Sequence, residues 1–261
     1  EWMGTVESPF ESVEDARIRL NEVEATFRAA GDRRSVFLTV YTEMTEAVEA
    51  GLGSGFFDDP AWVERTLVTF ADHYRRALVA YERGKRRRVP PPWEVGFDAT
   101  LGGSTLLLQD ALFGVNAHIN YDLTYALDEV GIDPDRGQKF DDYARINRIL
   151  DRLVDTVQDA LVEIYDAGSV ATLDPLFGPL DEELVFYGLR SGRRFAWDNA
   201  EILADHGGSF RDGCVDWRVR NVSTGVALLI RSPSADRELY RQFVDAELRR
   251  SPVEDFRRTF T

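Results

Sequence analysis

His118 and Asp122 stand four residues apart in the run Gly114-Val-Asn-Ala-His-Ile-Asn-Tyr-Asp-Leu123. On a helix, residues at that spacing are neighbours. An imidazole nitrogen and a carboxylate can then share one divalent metal ion, or the carboxylate can hold the ring and raise its basicity for general-base work. The same two groups can also be a satisfied polar pair inside a core.

The surrounding stretch, Leu106 to Leu127, is apolar on every side yet carries Asp110, Asn116, His118, Asn120 and Asp122. A helix apolar all round lies in the middle of a protein. Polar groups buried there cost a few kcal/mol each unless they find partners. Helical steps place Asp110, Gly114, His118 and Asp122 along one side, joined by Tyr121 and Tyr125. Asn116 and Asn120, also four apart, point roughly opposite. Catalysis is therefore expected from His118, Asp122, Asn116 and Asn120, with Asp110, Tyr121 and Tyr125 lining the pocket.

Other helices offer partners. Asp72 sits in the apolar setting of Leu67, Phe70 and Ala71 and is the expected third metal ligand beside His118 and Asp122, with Asp142 as a substitute. Asp141 and Asp142 also suit helix N-terminal caps. Asn147 falls on the apolar stripe of its helix. Trp197 and Asn199 follow an ordinary four-residue ion pair, Arg194 with Asp198. Asn147, Trp197 and Asn199 complete the expected substrate-binding set.

The elements that position these residues read as helices nearly throughout. Ser12 to Asp15 resembles a capping box opening a helix that ends at Gly31. Helices are expected from Ser35 to Ala50, from Asp59-Pro60 to about Arg83, and over Trp93 to Thr100. The central helix is expected to be capped by Ser104 and to run unbroken to Val130. Phe140 to Ala167, Leu180 to Asp205, Val215 to Arg231 and Ala235 to Arg249 follow. Val219, Val222, Val226 and Ile230 would also suit strands, but their spacing favours helix. The fold class is therefore all-α: a single bundle-like domain over 1–261 with a buried central helix. Residues 10–34 are a candidate helical extension, and 168–179 form the longest loop.

The motif resembles the signature of an uncharacterised bacterial and archaeal domain family of unknown function. Similarity extends to Phe70-Ala-Asp72 with Tyr74, Pro90 to Trp93, Asp142 with Asn147 and Leu150, and Trp197 to Ala200, covering roughly 35–231. The resemblance implies no established reaction. It does imply that Asp72, Asn116, His118, Asn120, Asp122, Asn147 and Asn199 belong to one site.

Composition bounds the alternatives. The 261 residues carry a net charge of −15, which opposes binding to nucleic acid or anionic membranes. The Lys85–Arg88 run accordingly reads as helix C-terminal charge rather than a nucleic-acid patch. Lys85 and Lys139 are the only lysines among 31 basic residues. That balance is expected of a high-GC, salt-adapted organism, where acidity belongs to the whole surface and says nothing of substrate. Cys214 is the single cysteine and is expected to be a quiet buried residue, which leaves no disulfide within the chain and no cysteine-rich zinc site. No run is apolar enough for a membrane span, and no charged-then-apolar leader opens the chain, so a cytoplasmic protein is expected. No phosphate-binding glycine loop, nucleophile elbow or isoprenoid diphosphate motif is present.

Three functions fit these residues. One is a metal-dependent enzyme, hydrolytic or oxygen-using, acting on a small organic substrate at His118 and Asp122. Another is a metal-free helical pocket that binds or converts an apolar, lipid- or isoprenoid-like ligand. The third is a non-catalytic interaction protein whose polar core fixes helix register. A homo-oligomer is compatible with all three.

Overall fold

The computed structural model describes residues 2–165, 182–206, 209–232 and 237–260. Every regular element among them is helical, which makes the fold all-α. The loop expected at 168–179 lies outside the described residues.

Helices form where capping chemistry and apolar spacing agree. In α1 (Val13–Ala29) the Ser12 hydroxyl accepts from the Asp15 N–H, and the Asp15 carboxylate accepts from the Glu11 N–H. α2 (Ser35–Gly53) follows a short turn and packs along α1. Asp59 caps α3 (Pro60–Glu82), accepting from the Trp62 N–H at 3.0 Å, with Pro60 preset in the first turn. Prolines likewise open α4 (Pro91–Leu101) and set Trp93 at its start.

The central segment departs from the expected single helix. It divides into α5 (Leu107–Ala117), a π-helical turn (His118–Asp122) and α6 (Leu123–Val130). The Leu123 N–H reaches back to the His118 carbonyl, five residues away, and this i→i+5 bond defines the wider turn. Nor does Ser104 cap the helix. The Gln109 side chain turns back instead and accepts from the Leu106 N–H at 2.8 Å.

α2, α3 and α4 flank this central segment on one side. α8 (Glu182–His206) and α9 (Ser209–Arg231) lie against it from another. α7 (Arg136–Tyr165) runs beside α2. α10 (Arg237–Leu248) packs on α7, and α11 (Pro252–Arg258) on both α2 and α7. The ambiguous 215–230 stretch is helical. Its buried residues Val215, Val219, Ser223, Ala227 and Ile230 recur every three or four positions along α9, a spacing that only a helix turns to one side.

Candidate active site

His118 lies at the start of the π turn, wholly buried, inside a box of aromatic rings from three helices. Phe70 of α3 stacks on the imidazole with centroids 3.4 Å apart and planes within 10°. Tyr41 of α2 meets it edge-on at 4.7 Å. Phe37, Trp93 and Tyr74 close the remaining sides at 5.7, 6.0 and 6.3 Å. Phe37 and Tyr41 are four residues apart on α2, as Phe70 and Tyr74 are on α3, so each helix presents two rings on one face. Close approach of α2 depends on Gly114. A Cβ there would lie 2.2 Å from the Phe37 ring, and only glycine leaves that ring its place beside His118.

The two groups expected to work together do meet. His118 Nδ1 lies 2.9 Å from Asp122 Oδ2, and the Trp93 indole N–H donates to that same oxygen at 2.8 Å. With Asp122 accepting, Nδ1 carries the proton and Nε2 presents its lone pair. Three buried polar atoms of the box have no hydrogen-bond partner: His118 Nε2, Asp122 Oδ1 and the Tyr74 hydroxyl. Native proteins leave few such atoms, so three in one box demand an explanation.

Burial dominates the electrostatics. It pushes His118 well below the usual imidazole range, which keeps the ring neutral. It pushes Asp122 up to about 7, against the opposing pull of His73, the Trp93 hydrogen bond and Arg76. The pair is thus a neutral imidazole beside a carboxyl group that titrates near neutrality.

The remaining expected residues fall into other places. Asp110 is buried at the far end of α5, where it accepts from Thr100 and Thr105 at 2.9 and 2.6 Å and pairs with Arg33. Arg33 also pairs with Glu247 of α10, whose other oxygen accepts from the Leu107 N–H and the Tyr165 hydroxyl. Asp110 therefore helps hold the chain's end and does not line the His118 box.

Asn116 and Asn120 do lie on the opposite side of the helix. Asn120 donates to Asn116 at 2.9 Å, and Asn116 donates to the Ser223 carbonyl of α9, also at 2.9 Å. Gly192 of α8 packs so tightly here that its Cβ would sit 2.4 Å from Asn120 Oδ1. The two amides fix how α8 and α9 seat on the central segment.

Tyr121 and Tyr125 meet at a tilt of 53° with centroids 5.0 Å apart, and the Tyr125 hydroxyl donates to Asp216 of α9 at 2.8 Å. The π turn inserts one residue, which rotates the C-terminal part of the segment by about 100° relative to a continuous α-helix. That rotation swings Tyr125 out from under His118.

The expected third metal ligand is also elsewhere. Asp72 is committed to Arg75 and Arg76. Asp142 accepts from the Asp58 and Asp59 N–H groups at 2.8 and 2.6 Å and pairs with Arg145, so it braces the loop before α3. Among the described residues no three His, Cys, Asp or Glu side chains are placed to hold a metal ion.

Asn147, Trp197 and Asn199 belong to the α7–α8 contact. Asn147 accepts from Arg193 at 2.8 Å, and Arg193 lies over the Tyr143 ring. Trp197 packs among Trp62, Phe140 and Tyr143. Asn199 donates to the Phe195 carbonyl one turn back. Arg194 and Asp198 form the expected ion pair at 2.8 Å.

Sequence reasoning missed Trp93, Phe37 and Tyr41 as partners of His118. Their only signal was an aromatic residue on an apolar stripe, which every core helix shows. Cys214, expected to be buried, is exposed.

An all-helical fold with an aromatic-walled imidazole–carboxyl pair at a π turn defines a class of architecture rather than a reaction. The chain belongs to a family of unknown function, DUF5995, which matches over residues 13–233. The match takes in α1, while α10 and α11 lie beyond it. No curated protein and no solved structure gives a match to the chain.

Proposed function

We propose that this chain is a metal-free acid–base protein that binds and converts a small, largely apolar molecule at His118. One observation carries the reading. His118 Nδ1 is fixed by Asp122, itself held by Trp93, while Nε2 stays buried without a partner. A ring oriented at one nitrogen and free at the other is the arrangement of a general base. The donor set does not fit a metal, because Asp72 and Asp142 are engaged elsewhere.

The chemistry is set by the atoms present. A hydroxyl or acidic C–H of the ligand placed against Nε2 gives its proton to the ring. The imidazolium so formed is stabilised by Asp122 in its ionised form, and the ring returns the proton to the product. Aromatic walls on every side select an apolar body, preferably planar, with one polar group. The ligand reaches Nε2 only as part of the wall moves, so entry is expected to be slow.

The test is nitrogen NMR of the histidine rings in the full chain, with and without a panel of aromatic alcohols and ketones. The expected result is an Nδ1–H tautomer at His118 whose Nε2 resonance shifts with some panel members. The His118→Gln variant should lose that response. An Nε2–H tautomer, or a ring that no panel member perturbs, would sink the proposal.

A second reading has its own observation. Phe70 covers one imidazole face at 3.4 Å, and Asn116 and Asn120 are spent on helix seating. On that reading the polar core fixes helix register and nothing more. A parent whose His118 ring no panel member perturbs would select it.

A further inference from the structure

The outward side of α9 carries residues that belong inside a protein. Trp217 is 69% exposed and Leu229 57%, with Val222 and Leu228 also open to solvent. Helical spacing sets Trp217, Asn221, Gly225 and Leu228 along one stripe, flanked by Val222 and Leu229. The opposite side, with Val215, Val219, Ser223, Ala227 and Ile230 buried, is the one that packs on the rest of the fold. Contiguous exposed apolar residues of this kind mark interaction sites.

Charge says what docks there. The chain has 46 acidic residues, yet 217–235 contains none. Asp216, which precedes that run, is answered by Arg220 at 3.5 Å, and Arg218 is drawn aside over the Phe195 ring at 4.7 Å. Two copies of a chain with a net charge of −15 repel wherever their acidic surfaces meet. The α9 face is where carboxylates have been withdrawn, so it is where like copies can approach.

We propose that a second copy of this chain docks on this face, the two α9 helices running antiparallel about a two-fold axis. An isologous contact must be complementary to itself. With the axis at Asn221, Trp217 of one copy meets Gly225 of the other. Nothing lies within 4 Å of where a Gly225 side chain would begin, which leaves room for an indole. Leu228 then faces the Cys214 end of the other helix, and the two Asn221 amides meet each other. α9 spans 23 residues, about 35 Å at the helical rise. A contact of one helix width over that length falls at the small end of specific interfaces, so a weak dimer is expected.

Sedimentation velocity of the full chain, over roughly 1 to 500 µM to bracket such a weak contact, tests this. The expected result is a doubling of mass with concentration. Leu228→Glu, a change at an exposed site, should keep the helical circular dichroism and weaken association at least tenfold. Asn221→Cys in a Cys214→Ser background should cross-link under mild oxidation, because the axis brings the two thiols together. A chain that stays monomeric throughout overturns the proposal, as does a Leu228→Glu variant that still dimerises. Dimerisation without Asn221→Cys cross-linking overturns the antiparallel arrangement. A monomer that instead sediments with phosphatidylglycerol vesicles would assign the face to an anionic membrane and overturn it too.

Discussion

Replacing one member of the His118–Asp122 pair should give the protein a pH-dependent stability that the intact pair hides. In the folded protein Asp122 titrates near 7 rather than 3.8, and His118 titrates well below 6.5. Between pH 4 and 6.5, wherever burial keeps His118 neutral, the folded pair therefore holds one titratable proton, on Asp122. The unfolded chain also holds one, on His118. Proton numbers match, so the pair contributes almost no slope to stability across that window.

His118→Gln removes the unfolded-state proton and leaves the raised Asp122. A group whose folded pKa is raised stabilises fully below its unfolded value, and that stability is lost as pH rises through the folded value. Relative to the parent, the variant should weaken by ~1.4 kcal/mol per pH unit from about pH 4 to 6.5, reaching about 4 kcal/mol near pH 7. Asp122→Asn leaves only a histidine with a lowered folded pKa. Its stability is complete above 6.5 and is lost as pH falls, with the opposite sign and a similar slope. Urea unfolding followed by tryptophan fluorescence, at half-unit steps from pH 4.5 to 7, reads both slopes against the parent, which cancels titrations common to all three chains. Two variants with parallel, pH-independent offsets would refute the neutral-pair assignment.

Other positions give sharper single outcomes. Trp93→Phe keeps the ring but removes the indole donor to Asp122, and should cost about 1–3 kcal/mol by chemical denaturation. Gly192→Ala places a methyl against Asn120 Oδ1; a loss of about 1–3 kcal/mol is expected, and Asn120→Ala in the same chain should recover most of the fall in Tm. Arg33→Met leaves Asp110 and Glu247 buried without their cation. The expected loss is about 3–5 kcal/mol at pH 7, smaller at pH 5 because burial already holds the Asp110 pKa above its usual value.

Much of the fold could be read from the chain because capping residues and apolar spacing are local. Ser12, Asp59 and Pro60 act where they stand, and helices begin at them. The His118–Asp122 contact was legible for the same reason, since four-residue spacing survives both an α and a π turn. The π turn itself left no such mark. Nothing in His-Ile-Asn-Tyr-Asp distinguishes it from an α-helix, and its consequence is the rotation that parts Tyr125 from His118. Asp72 and Asp110 show the other limit. Each is an acid in an apolar stretch, which reads as a site; each is in fact answered by an arginine, Arg75 three residues on and Arg33 from the turn before α2. A sequence shows that a buried acid needs a partner but not which cation the fold will bring. What sets His118 apart is that one ring nitrogen was given a partner and the other was not.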